Sequence, residues 1–219
     1  MGIALEDGIG GLELGLQVES NVVLRMLRSA LNALEHDDRE LAAEVVACDD
    51  DVDRSFLELQ ESVQALLARQ APVARDLRRL LGVVHVNLHL ERTADECVTI
   101  AKLVRLTAGL ERDGSVIEAL LEMGARAEEM VQVSLDAFIR CDLEQAEALV
   151  DLDELIDRAN RQLVWQLLRS HEDTREWGLL MMVVSWSLER VGDHAVDIGE
   201  QTAYVVTGEF REFIDQPAG

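Results

Sequence analysis

The chain has 219 residues, with 20 Lys plus Arg against 43 Asp plus Glu and a formal net charge of −23. That length allows one domain or two small ones with a sizeable core, and a field of that sign repels phosphate backbones and anionic headgroups. Direct nucleic-acid binding is thereby excluded. Apolar residues make up 48% of the chain, but aromatics only 4%, and there are two prolines. Such a balance suits long helices rich in Leu, Val and Ala better than strands, so the fold class is expected to be all-α.

In chain order, residues 1 to 16 hold Gly2, Gly8, Gly10, Gly11 and Gly15, a density that disfavours helix and predicts a flexible lead-in over 1–16. From Gln17 a helix is expected with Val18, Val22, Met26, Ala30 and Leu34 on its apolar side, ending at Asp37 and Asp38. A second runs from Asp38 to about Gln70, carrying Val45, Val52, Phe56, Leu59, Val63 and Leu66 at three-four spacing, and Ala71-Pro72 stops it. A third runs from Val73 to about Leu106 with Leu77, Leu80, Val84, Leu88, Val98 and Ala101 buried. The breaks at Gly109 and Gly114 then separate a first repeat, 17–109, from a second, 115–213, whose helices are expected over Val116–Arg140, Asp142–Ser170 and Glu176–Val206.

The second half repeats the first in residues as well as in plan. LERTADECVTIAK at 90–102 aligns with LERVGDHAVDIGE at 188–200, with six of 13 positions identical. Upstream, Asp38, Glu40, Ala42, Val46, Asp49, Asp53 and Arg54 match Asp142, Glu144, Ala146, Val150, Asp153, Asp157 and Arg158 at a constant offset of 104. An offset held through a long helix means that the encoded feature depends on helical phase.

That feature is a set of acids placed four apart: Asp49 with Asp53, Glu91 with Asp95, Asp153 with Asp157, and Glu189 with Asp193. Residues i and i+4 share a helix face, where like charges destabilise an isolated helix by a few tenths of a kcal/mol. In an antiparallel hairpin, residues equidistant from the turn stand at one height. The pairs Asp53/Glu91 and Asp49/Asp95 both have their midpoint at Pro72, and Asp157/Glu189 and Asp153/Asp193 both at Asp173, each in an expected turn. Four carboxylates therefore meet at one level in each half, beside apolar faces where unpaired charge costs several kcal/mol. An oxygen donor set of this kind suits hard cations such as Mg²⁺, Mn²⁺ or iron. The alternative is a solvated acidic face, or salt bridges between helices to Arg54, Arg92, Arg158 and Arg190.

Other features yield less. The odd set Cys48, Cys97 and Cys141 forms no CxxC pair, which argues against a disulfide framework and a thiolate zinc site, with Cys97 read as a buried thiol. His194, next to Asp193, reads as a surface or capping residue, with an extra metal ligand as the alternative, and His85, His89 and His171 show no usable spacing. The Glu-x-x-His pattern of di-iron bundles is absent, as are a phosphate loop and a nucleophile elbow. The most apolar window, Trp177 to Leu188, is bounded by Glu176 and Glu189, and Glu6 and Asp7 replace a basic leader. A soluble, cytoplasmic protein without membrane insertion is expected.

Taken together, APVARDLR at 71–78, the two LER motifs and VVTGEF at 205–210 resemble the PhoU family of bacterial phosphate-signalling regulators, over about residues 20 to 213. The resemblance implies two tandem three-helix bundles related by internal duplication, no catalysis, and iron or zinc in multinuclear clusters. The family's acidic motif falls on Asp49, Asp53, Glu91 and Asp95, and again on Asp153, Asp157, Glu189 and Asp193. Where the family often has Asn, four residues past each motif Asp, this chain has Thr99 and Asp197, the latter adding a ligand to the second site. The resemblance further implies negative regulation of the phosphate-starvation response, through contact with a phosphate ABC transporter ATPase and a sensor histidine kinase, and a homodimer. A metal storage or buffering protein is the alternative function.

Overall fold

The structure, a computed structural model, describes residues 3–169 and 172–213. Seven α-helices follow one another: α1 (Ile3–His36), α2 (Arg39–Gln70), α3 (Ala74–Leu106), α4 (Gly114–Arg140), α5 (Leu143–Glu147), α6 (Leu149–Leu167) and α7 (Arg175–Thr207), with a 3₁₀ turn at Glu172–Thr174 before the last. No strand occurs among the described residues. Helices α1 to α3 form one antiparallel bundle and α4 to α7 a second, and the two lie side by side through α3 against α7 and α1 against α4. The all-α, duplicated architecture expected from the sequence is the one observed.

The repeat extends to the caps. The Asp38 carboxylate accepts from the backbone N–H of Glu40 and Leu41 at 3.1 and 3.0 Å, and its counterpart Asp142 accepts from Gln145 at 3.1 Å, each satisfying donors that a helix start leaves orphaned. Ala71 closes α2 in the left-handed region (φ 42°, ψ 55°) immediately before Pro72, so the chain reverses there and α3 returns along α2. The expected helix over Asp142–Ser170 is broken at Ala148, which keeps near-helical dihedrals (φ −67°, ψ −14°), so α5 and α6 are nearly continuous. Ser170 itself lies outside the described residues.

α3 and α7 occupy the centre. Buried residues on α3 run almost consecutively, from Leu90 through Thr93, Ala94, Glu96, Cys97, Val98 and Ile100 to Ala101, because the helix is covered by α1 and α2 on one side and α7 on the other. Cys97 is a buried thiol, as expected, and burial pushes its pKa far upward.

The lead-in expectation fails. Helix α1 begins at Ile3, and Leu5, Ile9, Leu12 and Leu16 are buried. The glycines permit this packing: a Cβ on Gly8 would stand 2.8 Å from a Leu66 methyl, and one on Gly15 would stand 3.1 Å from a Leu59 methyl. The pairs 8/66 and 15/59 share one midpoint, Asp37 in the α1–α2 turn, so the glycines are seats for α2 side chains in an antiparallel hairpin. Tertiary contact outweighs a propensity cost of about 1 kcal/mol per glycine. The apolar stripe of α1 also differs from expectation, since Val18 is 57% exposed. A spacing of four advances about 40° per step, so Val18 and Leu34 lie about 160° apart and cannot share a face. Leu77, at the first turns of α3, is likewise exposed.

Candidate metal centre

The hairpin arithmetic places both expected turns correctly: residue 72 falls between α2 and α3, and residue 173 in the 3₁₀ turn before α7. In the first half Asp49 and Asp53 on α2 face Glu91 and Asp95 on α3. The Glu91 carboxyl is held above its ordinary pKa by burial, then by the charges of Asp95, Asp53 and Asp49, with Arg92 opposing. Asp49 is raised by burial and by Asp53 and Asp95, with Lys102 opposing. Glu91 therefore feels the other three acids, and Asp49 feels Asp53 and Asp95.

In the second half Asp157 on α6 meets Glu189 and Asp193 on α7. The Glu189 carboxyl is raised chiefly by burial, and by Asp157 and Asp193; Asp193 is raised by burial, then by Asp157 and Asp197, with His194 and Arg190 opposing. Asp153 is buried, with its Oδ1 3.1 Å from where a Cβ on Gly192 would stand, beside Asp193. One difference separates the halves. Asn160 donates to Glu189 Oε2 at 2.7 Å, and Ser185 Oγ donates to Asn160 Oδ1, so a buried chain fixes the Glu189 rotamer. At the position equivalent to Ser185 the first half has Asn87, whose amide donates to the Phe56 carbonyl at 3.0 Å instead.

Of the four arginines named as salt-bridge partners, three pair elsewhere: Arg54 with Asp51 at 2.9 Å, Arg158 with Glu154 at 3.2 Å and Arg190 with Glu96 at 3.1 Å. A fifth, Arg161, reaches Asp157 at 3.3 Å along α6. Arg54, Arg158 and Arg161 are taken within their own helices because i+3 and i+4 neighbours are the nearest acids on a helix surface, whereas Arg190 reaches across from α7 to Glu96 on α3. The quartets are oxygen donor sets under mutual repulsion, which fits a cation as the partner that relieves it. Their oxygens are nevertheless more widely spread than the shell of a single ion. Among the described residues, the one group that brings three His, Cys, Asp or Glu ligand atoms within 4.8 Å of one another is His89, His194 and Asp197.

Two residues at these sites were missed in the sequence. Glu19 on α1 is 1% exposed, with neither carboxyl oxygen hydrogen-bonded. Its pKa is pushed up to about 8, first by burial and then by the charge of Glu91, while the Ser55 hydroxyl offsets part of this without a well-formed hydrogen bond. A glutamate buried on α1 between Val18 and Ser20 carries no period of its own in the acidic repeat, so spacing could not flag it. His89 is the other. It is buried, as is His194, which corrects the reading of His194 as a surface residue. Asp197, expected to join the second quartet, lies 3.4 Å from His89 Nδ1 and 3.9 Å from His194 Nδ1.

The likenesses to other proteins agree with this architecture. The sequence profile of the PhoU domain matches residues 17–104 and again residues 120–202. Over 195 residues the chain is 33% identical to the phosphate-specific transport system accessory protein PhoU homolog of Pseudomonas aeruginosa, covering 85% of this chain and 78% of that protein. It is 30% identical over 189 residues to the protein of the same name from Clostridium acetobutylicum, covering 84% and 86%. The crystal structure of PhoU from Pseudomonas aeruginosa superposes with a TM-score of 0.83 at 29% identity, over 93% of this chain and 99% of that one. The phosphate transport system regulatory protein PhoU from Streptococcus pneumoniae gives 0.86 at 25% identity, over 95% and 99%. A domain matched twice, near-complete coverage and the duplicated acidic hairpins lead to one conclusion: the chain belongs to the PhoU family, whose members are regulatory accessory proteins and not enzymes.

Proposed function

We propose that this protein is the accessory regulator of a phosphate-specific transport system. It holds the phosphate-starvation response off by acting as an adaptor between the transporter ATPase and a sensor histidine kinase on the cytoplasmic side, with metal ions at its two carboxylate quartets. The observation that carries the role is the name borne by relatives that match most of this chain, phosphate-specific transport system accessory protein. The geometry supports an adaptor in two ways. The net charge of −23 favours basic partner surfaces. Trp165, Leu168, Leu179 and Trp186 on and beside α6 and α7 stand exposed, offering apolar contact that lengthens residence. No helix among the described residues is long and apolar enough to cross a membrane, so membrane association would come through the transporter.

An adaptor works by differential affinity for two partner states. Deleting the gene is expected to derepress phosphate-starvation genes in phosphate-rich medium. Binding of the purified protein to the ATPase or the kinase should weaken severalfold from low to physiological salt without vanishing. If the genes stay repressed and neither partner binds even at low salt, the adaptor reading is wrong. For the quartets, iron, zinc, magnesium and manganese are the candidates, and metal analysis of natively purified protein decides among them. Glu189→Ala with Asp193→Ala should remove about half of the quartet-bound metal and leave helicity intact, because each half holds its own four acids and the lost set is one of two. Unchanged metal content would make the acids a solvated face. Metal loss with partner binding and repression both undisturbed would instead favour metal buffering.

A further inference from the structure

His89 and His194 come from different halves of the duplication, one from α3 and one from α7, and meet where the two central helices pack side by side, with ring centroids 5.6 Å apart. Both histidines are 8% exposed, and neither Nδ1 has a hydrogen-bond partner. Buried polar nitrogens in that condition are uncommon and ask for a reason. Both Nδ1 atoms approach the same oxygen, Asp197 Oδ2, at 3.4 and 3.9 Å. These separations exceed a good hydrogen bond, yet two donors each about 2.1 Å from a tetrahedral ion stand about 3.4 Å apart.

We propose that His89, His194 and Asp197 form a mononuclear site for a zinc-class divalent transition metal, bridging the two halves of the protein and separate from the carboxylate quartets. Two imidazoles and one carboxylate are the ligand chemistry of zinc and its neighbours rather than of magnesium or calcium, and the three-ligand set leaves a fourth position for water. A neutral His89 ring protonated on Nε2 turns a free Nδ1 lone pair toward the site, and that Nδ1 is buried without a hydrogen-bond partner. Asp197 is about half exposed and gives the ion a way in. The site breaks the internal symmetry. The offset of 98 that aligns α7 with α3 maps His89 onto Ser187, His194 onto Glu96 and Asp197 onto Thr99. On that side the helices are joined by the Arg190–Glu96 ion pair instead. One junction between the halves is clamped by an ion pair, and the other by a metal.

The test uses the full chain, stripped of metal and titrated with Co²⁺ alone at pH 7.5. The expected result is one cobalt per chain with the strong visible absorption of a four- or five-coordinate site, displaced by one equivalent of Zn²⁺. Ions on the oxygen-only quartets would give only the weak bands of six-coordinate cobalt. His89→Gln should abolish the strong band with helicity unchanged, and Asp197→Asn, at a half-exposed position that costs the fold little, should weaken Zn²⁺ binding at least tenfold. Glu189→Ala with Asp193→Ala should keep the strong band, so that failure of the quartets and failure of this site read differently. A wild type showing only weak bands overturns the proposal, as does a folded His89→Gln variant that keeps the strong one. If His89→Gln loses its helicity, undiminished Zn²⁺ affinity in Asp197→Asn overturns it.

Discussion

Replacing Glu19 by Gln is expected to stabilise the metal-stripped protein by roughly 3–5 kcal/mol at pH 8.5, and by little at pH 4.5. In the folded chain the Glu19 carboxyl is buried on α1 without a hydrogen-bond partner and faces Glu91, and its pKa rises from 4.5 to about 8. Because the folded value lies above the unfolded one, the native state binds the proton more tightly. The contribution of Glu19 to stability is then fully present below pH 4.5 and is lost as the pH climbs through about 8. Gln cannot ionise, so the variant keeps what the wild type loses. Urea denaturation of both proteins across this range, with chelator present, isolates the effect as a difference between them. Equal stabilities at pH 8.5 would mean that the Glu19 carboxylate is solvated or paired when ionised. Added metal at the first quartet should shrink the difference, since a cation beside Glu91 favours the charged form of Glu19 as well.

Truncation to a chain beginning at Gln17 is expected to cost roughly 3–6 kcal/mol, a large part of the 5–15 kcal/mol typical of a domain. Four side chains buried by α1, Leu5, Ile9, Leu12 and Leu16, would leave the core, and lost apolar burial is among the largest sources of destabilisation. The Glu13–Arg79 pair at 2.6 Å is lost too. Burial still lifts the Glu13 pKa despite that arginine, so its removal adds little to the loss. Leu59 and Leu66 of α2, which sit over Gly15 and Gly8, would face water. Equilibrium denaturation of full-length and truncated protein measures the difference. A frayed tail would cost under about 0.5 kcal/mol.

The same contrast runs through the candidate sites. Asp49, Asp53, Glu91 and Asp95 could be grouped by arithmetic alone, since i and i+4 fix a helix face and equal distance from Pro72 fixes a height. Burial raises the Glu91 and Asp49 pKa values first, and the charges of the grouped acids add to the rise. Arg190 could not be assigned in this way. Its partner Glu96 lies on α3, in the other half of the duplication, and a hairpin rule says nothing about helices that are not consecutive.

The sequence by itself determined the helical class, the positions of the hairpin turns, the duplication and the grouping expected for each acidic quartet, because all of these depend on helical phase and on contacts between neighbouring segments. Only the tertiary structure decided that α1 starts at Ile3, that Glu19 is buried beneath the first quartet, and that His89 reaches His194 and Asp197. The physical reason is shared. In each case the deciding partner is supplied by another helix: α2 side chains seated on Gly8 and Gly15, the Glu91 charge on α3 beside Glu19, and the packing of α3 along α7 that brings two histidines 105 positions apart in the chain to one carboxylate oxygen.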